Sequence, residues 1–251
     1  MSDFAQTLKS WRNVRRYSQL DLATEAEISS RHLSFLETGR ARPSREMVQR
    51  LGEALQLPLE ARNQMLTHAG FAARYAGRQW SDDQMEPIRG AVQRMLDRHM
   101  PFPGMALDRM WVIRHLNPTA ETLFGMLGVG IGDSMIELVT SDALPPLVEN
   151  WPEVARHAAA RLRVESAGQG GVPEFDRAVT TLLQAAGPDT GTPAPVIPTI
   201  LKKGDMRLSM FATIAQFGTP EDLTLEDLKI ELYFPMDAAT EAMFGALGGG
   251  A

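Results

Sequence analysis

Residues 18–44 constrain the fold of this chain more than any other stretch, because they carry the pattern of two short helices joined by a tight turn. Each helix keeps apolar residues on one face at helical spacing. Ala23 falls where the two helices must cross at a steep angle, which leaves no room for a larger side chain. The register of the pattern depends on these residues: Gln19, Leu22, Ala23, Ala26, Ile28, Leu33 and Leu36.

The same pattern leaves small, polar and cationic residues, together with Phe35, on the outer face of the second helix. A helix-turn-helix places its second helix in the major groove of DNA, with the N-terminal residues of that helix on base edges. Two arginines follow the helix directly, at positions suited to phosphate contacts. We therefore expect double-stranded DNA as a partner, contacted by Gln19, Ser29, Ser30, Arg31, Ser34, Arg40 and Arg42.

Residues 4–70 resemble the repressor-type helix-turn-helix family of the phage 434 repressor and Cro, the xenobiotic-response-element-like regulators. Arg12 and Glu37 occupy the positions where that family pairs an arginine with a glutamate, so the resemblance implies a partly buried ion pair. Glu27 departs from the family, whose turn commonly has glycine there. A left-handed backbone at a non-glycine residue costs roughly 1 kcal/mol.

Composition supports a division of the chain into a basic and an acidic part. Residues 1–75 carry 11 lysine and arginine against 8 aspartate and glutamate residues, a net charge of +3, whereas the remainder carries 14 against 23, a net charge of -9. A basic N-terminal part followed by an acidic part suits a regulator whose second domain does not contact DNA. We expect a helix-turn-helix domain at 1–75, a connection with a linking helix at 76–98, and a second domain at 99–247.

Several classes of protein are disfavoured by what the sequence lacks. The chain has no cysteine, which excludes disulfides, cysteine-ligated zinc and thiol catalysis. No apolar run approaches the roughly 18 residues that span a bilayer, and no leader pattern opens the sequence. We therefore expect a cytoplasmic protein without a membrane partner. The five histidines lack the spacing of metal ligands, and no catalytic set is apparent, so we expect no enzyme and no metal.

The second domain shows short apolar strand segments at both ends and helices in the middle. Strands are expected at 104–107, 111–116, 199–201, 207–217 and 228–234, and helices at 120–124, 141–148, 151–166, 173–186 and 237–247. The segment at 111–125, in which Asn117 ends a strand and Leu-Phe-Gly closes a helix, resembles a PAS domain. More narrowly, segments 31–40, 43–47, 217–225 and 233–237 are similar to regulators with an MmyB-like ligand-binding domain.

These resemblances imply a fold of two domains: an all-α repressor-type helix-turn-helix bundle followed by an α+β PAS-like domain with an antiparallel sheet. They also imply a small apolar effector of unknown identity and no resident cofactor. Aromatic side chains and the chain's 14 methionines suit an adaptable apolar pocket, although they equally suit a filled core. His115 could contact a ligand or bind haem, or be a structural histidine. The candidate ligand-contacting residues are Met105, Trp111, Ile113, His115, Phe124, Phe211 and Phe217.

Three functions fit these observations. The first is a ligand-responsive transcriptional regulator that binds DNA as a homodimer, since one recognition helix reads only a few base pairs. The second is a protein-interaction or antitoxin-like module with a structural C-terminal dimerisation domain. The third is an enzyme or cofactor sensor in the C-terminal domain, which a coloured preparation of the protein would reveal.

Overall fold

The structure, a computed structural model, describes residues 3–187, 195–218 and 220–248. The chain divides into two compact units. Unit 1 comprises Met1–Gly77, Glu165–Val172 and Pro220–Glu226, and unit 2 comprises Arg78–Val164, Pro173–Thr219 and Asp227–Ala251.

No helix in the described part of the chain is long and apolar enough to cross a membrane.

Unit 1 is helical, as the sequence predicts. Two short helices form the helix-turn-helix, one helix precedes it and two follow, and a further short helix comes from the second half of the chain. The helices are α1 (Asp3–Val14), α2 (Gln19–Glu25), α3 (Ser30–Glu37), α4 (Arg45–Ala54), α5 (Leu59–His68) and α11 (Leu223–Glu226).

Local sequence explains where the helices of unit 1 begin. Ser18, Ser29 and Ser44 each precede a helix, and each hydroxyl accepts a hydrogen bond from a main-chain amide in the first turn. The helices then close over one apolar core, in which Ala23 is 1% exposed. The burial of this alanine is consistent with the expected steep crossing of α2 and α3.

Glu27 has a φ of 52°, in the left-handed region. The sequence comparison with the repressor family predicts such a backbone at this position, where glycine is common. The turn is nevertheless formed, because Ile28 donates its amide to Ala23 across it at 2.9 Å. The departure from glycine thus costs strain without preventing the helix-turn-helix.

Unit 2 contains the antiparallel sheet and the remaining helices. Its elements are α6 (Glu86–Arg98), β1 (Gly104–Leu107), β2 (Ile113–Leu116), α7 (Pro118–Gly125), α8 (Met135–Thr140), α9 (Trp151–Gly168), α10 (Pro173–Ala186), β3 (Thr199–Lys203), β4 (Met206–Gln216), β5 (Lys229–Pro235) and α12 (Ala238–Gly248). The last residues of α9, from Glu165, belong to unit 1.

The five strands form one sheet in the order β2-β1-β5-β4-β3, and every neighbouring pair is antiparallel. The first hairpin therefore lies beside the last strand of the chain, with Met105 opposite Glu231. This arrangement confirms the expected α+β domain with an antiparallel sheet.

Asn117 joins three elements of unit 2 through a buried side chain. Its Oδ1 accepts hydrogen bonds from the amides of Gly104 at 3.1 Å and Ala120 at 3.0 Å. Its Nδ2 donates to the carbonyls of Leu96 at 3.2 Å and Phe102 at 2.8 Å. One amide thus caps α7 and connects it to β1 and to the end of α6.

The helix predicted at 141–148 is wrong. Residues Pro145–Leu147 form only a 3₁₀ turn, since neither Pro145 nor Pro146 has an amide hydrogen to continue a helix. The helix in this region is α8, which begins earlier because the hydroxyl of Ser134 accepts a hydrogen bond from the amide of Glu137. The sequence pattern also failed to predict the short helix α11.

Candidate nucleic-acid interface and ligand cavity

The outer face of α3 is available for contact with another molecule. Ser30 and Arg31 are exposed, and Ser34 and Phe35 are half-buried. The guanidinium carbon of Arg31 lies 5.4 Å from the centroid of the Phe35 ring, within the range of a cation–π interaction. The aromatic ring therefore supports a cation on the face that the sequence predicts to read base edges.

The other predicted DNA contacts surround this face. Arg40 and Arg42 are exposed in the segment after α3. Ser29 caps α3, and its hydroxyl accepts a hydrogen bond from the amide of His32 at 3.1 Å. The Gln19 side chain donates to Glu37 at 2.6 Å. Ser29 and Gln19 thus also have structural bonds within unit 1.

The predicted pair of Arg12 and Glu37 is confirmed. The Nε of Arg12 donates to Glu37 Oε1 at 2.6 Å and its Nη2 donates to Oε2 at 3.2 Å. The side chains are 11% and 2% exposed. A third donation, from Arg12 Nη1 to the carbonyl of Tyr17 at 2.8 Å, completes the surroundings of the guanidinium. The pair fixes the C-terminal end of α3 to α1 and so orients the exposed face.

Unit 2 contains a partly open cavity of about 390 Å³. Its walls come from β3, β4 and β5, from α7, α8 and α9, and from the β1–β2 connection. Cavities of this size and largely apolar lining are typical sites for small molecules. Apolar side chains on its walls include Trp111, Phe124, Met135, Leu138, Val148 and Phe211.

Two charged side chains also line the cavity. Arg161 on α9 and Glu231 on β5 form an ion pair, with Nη1 and Oε1 2.6 Å apart and side chains 19% and 6% exposed. The hydroxyl of Tyr233 donates to Glu231 Oε2 at 3.0 Å. Burial of the Tyr233 hydroxyl raises the pKa of this phenol well above its ordinary value, and the nearby carboxylate of Glu231 adds to the effect. Tyr233 therefore stays a neutral hydrogen-bond donor at ordinary pH.

Trp111 enters the cavity wall from the connection between β1 and β2. Its φ of 59° is in the left-handed region, which is strained for a bulky residue. Asp108 maintains the turn by accepting main-chain hydrogen bonds on its side chain and its carbonyl. The guanidinium carbon of Arg161 lies 4.3 Å from the indole centroid, and Lys229 Nζ lies 5.5 Å from it. Strain held in this way is common at functional sites.

The structure brings only part of the predicted ligand-contacting set to this cavity. Trp111, Phe124 and Phe211 line it. The cavity lies over β3, β4 and β5, whereas the other predicted residues are on β1, on β2 or beyond the end of β4, so they are not among its lining residues. These are Met105, Ile113, His115 and Phe217.

His115 lies on β2, and no hydrogen-bond partner for its buried Nε2 is found among the described residues. Burial lowers the pKa of this imidazole, while Asp97 and Glu121 partly oppose the effect. The ring is therefore mainly neutral near pH 7. Within the described residues, no cluster of histidine, aspartate and glutamate is arranged to hold a metal ion.

Sequence reasoning missed the polar residues of the cavity. Glu231 and Tyr233 line the cavity, and they lie two residues apart on β5, so they share one face of the sheet. This alternation of polar residues in a strand was the available signal. Arg161 gave no such signal, because a single arginine in a long helix is usually solvent-exposed.

Two family models match the sequence, one in each part of the chain. Residues 3–65 match the family described as Helix-turn-helix domain. Residues 88–247 match the family described as MmyB-like transcription regulator ligand binding domain. This second match covers more than half of the chain, so the chain belongs to the MmyB-like regulators. The two matches together make the protein a DNA-binding transcription regulator with a ligand-sensing domain. No curated protein matches the sequence.

Proposed function

We propose that the protein binds a two-part operator as a homodimer through α3, and that a small, mainly apolar molecule in the cavity of unit 2 changes its affinity for that operator. The observation that carries the proposal is a cavity of about 390 Å³ in a domain of the same chain as an exposed recognition helix. Each part has its own test.

The proposal for DNA rests on the exposed face of α3 and the arginines after it. A single recognition helix reads few base pairs, so specific affinity needs two half-sites about one helical turn apart. Duplexes selected from a random pool by the full chain should contain such a repeat. An enriched site without internal symmetry, or no enrichment at all, would contradict the dimeric regulator and favour a protein-interaction module.

The proposal for the cavity rests on its volume and its apolar walls. The neutral fluorescent probe N-phenyl-1-naphthylamine should bind the full chain and brighten. Ala158 lines the cavity from α9, so Ala158→Phe should fill the space and abolish probe binding. Ala160 is exposed on the same helix, which makes Ala160→Phe a matched control with unchanged binding. Equal probe binding by both variants would place the probe elsewhere.

The natural effector is sought in the protein itself. Mass spectrometry of organic extracts from the purified chain should find a compound that the Ala158→Phe variant does not retain. If neither a retained compound nor probe binding is found, the domain has a structural or dimerising role instead.

A further inference from the structure

Two segments from the second half of the chain belong to unit 1, together with the helix-turn-helix. One of them supplies a cap for α5. The residue before this helix is Pro58, which makes no side-chain capping bond. Both carboxylate oxygens of Glu226 instead accept hydrogen bonds from the amide of Leu59 at 2.9 Å. A carboxylate at a helix N-terminus is stabilising because it opposes the helix dipole.

The other segment includes the end of α9 and contacts α1 and the residue Arg15 that follows it. Arg15 Nη2 donates to the carbonyl of Gly168 at 3.1 Å. Gly170 has a φ of 84° and lies against the indole of Trp11, where an added Cβ would be 2.5 Å from the nearest ring atom. Only glycine fits this position without displacement of the ring. Both segments are therefore built into unit 1 by specific contacts.

The polar pair in the cavity lies on the two elements that lead into these segments. Arg161 precedes Gly168 by seven residues on α9, and Glu231 follows Glu226 by five residues at β5. The ion pair of 2.6 Å between Arg161 and Glu231 thus ties together the ends of α9 and β5 that continue into unit 1.

We propose that the Arg161–Glu231 pair is the ligand-sensitive link of this regulator, and that the segments at Gly168–Gly170 and Glu226 transmit its state to the DNA-binding unit. This inference rests on the proposed ligand-binding function. A ligand whose polar group bonds to Arg161 or Glu231 competes with the pair, so it binds the paired and unpaired states with different affinity. Such a difference is what a ligand requires to shift a conformational equilibrium.

The link can be tested without knowing the ligand, by a double-mutant cycle on the affinity for selected duplex DNA. Glu231→Gln removes the charge from the cavity pair, and it should change the dissociation constant of the full chain by about fivefold or more. In a Glu226→Ala background the same substitution should have a clearly smaller effect, since one of the two transmitting contacts is missing. Glu221 is in the same segment and its side chain is 73% exposed, so Glu221→Ala is the matched control and should leave the effect of Glu231→Gln intact.

Hydrogen exchange at the amide of Leu59 gives a second test, because a cavity pair that only stabilised unit 2 would not change it. The amide of Leu59 is protected by Glu226, and its exchange should speed up in Glu231→Gln although the substitution lies in the other unit. Arg161→Gln, which removes the charge from the other side of the pair, gives the same comparison if Glu231→Gln does not fold, as judged by circular dichroism.

Additive effects in the cycle, together with unchanged exchange at Leu59, would overturn the link. Failure of the proposed ligand-binding function can be distinguished from this result. It would appear as absent binding of N-phenyl-1-naphthylamine to the wild-type chain, whereas the double-mutant cycle is measured on DNA alone.

Discussion

Replacing Glu37 with alanine should destabilise unit 1 strongly, because it leaves a buried guanidinium without its partner. Glu37 accepts from Arg12 at 2.6 and 3.2 Å and from Gln19 at 2.6 Å. Its side chain is 2% exposed and that of Arg12 is 11% exposed. After the substitution, Arg12 keeps the bond to the carbonyl of Tyr17, while its Nε and Nη2 lose the carboxylate.

The magnitude follows from this burial. Removal of one partner from a buried ion pair costs about 3–5 kcal/mol, a large part of the roughly 5–15 kcal/mol that stabilises a typical domain. The free energy of unfolding of a small domain falls by about 2 kcal/mol per molar urea. The urea midpoint for unfolding of unit 1 should therefore fall by about 2 M. Replacing both partners with methionine should recover most of the loss, because an apolar pair avoids the desolvation of two charges.

Urea unfolding of the full chain, followed by circular dichroism, measures this effect. Glu25 is exposed on α2, so Glu25→Ala serves as the control and should change stability by no more than about 0.5 kcal/mol. A Glu37→Ala variant as stable as Glu25→Ala would refute the reasoning, since the pair would then contribute nothing through burial.

Three further predictions concern the other sites. Arg31→Ala should weaken binding to selected DNA by about 1–3 kcal/mol and relax the preference at one base position. Arg42→Ala should weaken scrambled and selected duplexes alike and reduce the slope of log affinity against log salt concentration by about one unit. Equal losses on both duplexes for Arg31→Ala would contradict base reading. Asn117→Ala should lower stability by about 1–3 kcal/mol for each main-chain group left unpaired, measured by thermal unfolding, and a neutral result would show that water replaces the amide. The pKa of His115 is lowered in the folded protein, so the unfolded chain binds a proton at this residue first as pH falls. The wild type should therefore lose stability relative to His115→Gln below the ordinary histidine pKa of 6.5. An NMR titration that gives His115 a pKa at or above that value would contradict the prediction.

The helix-turn-helix could be predicted from sequence because its constraints are local. Serine caps, apolar spacing and the small residue at Ala23 all act within a few residues. The pair of Arg12 and Glu37 is distant in sequence, and only the family resemblance identified it.

The cavity could be predicted only in part because its walls depend on sheet order. Strand positions were expected nearly as observed, but the placement of β5 between β1 and β4 decides which side chains face the cavity. Met105 and Phe211 carry equivalent sequence signals, yet only Phe211 lines the space. Short-range patterns contain no information about such pairing between distant strands.

The central claim, that occupancy of the cavity controls DNA binding, is tested most directly by one titration. The affinity of the full chain for its selected duplex is measured with and without the compound recovered from organic extracts, for the wild type and for Ala158→Phe. We expect the compound to change the dissociation constant of the wild type by about fivefold or more and to leave that of Ala158→Phe unchanged. An unchanged affinity of the wild type at saturating compound, with binding to the cavity verified, would contradict the account.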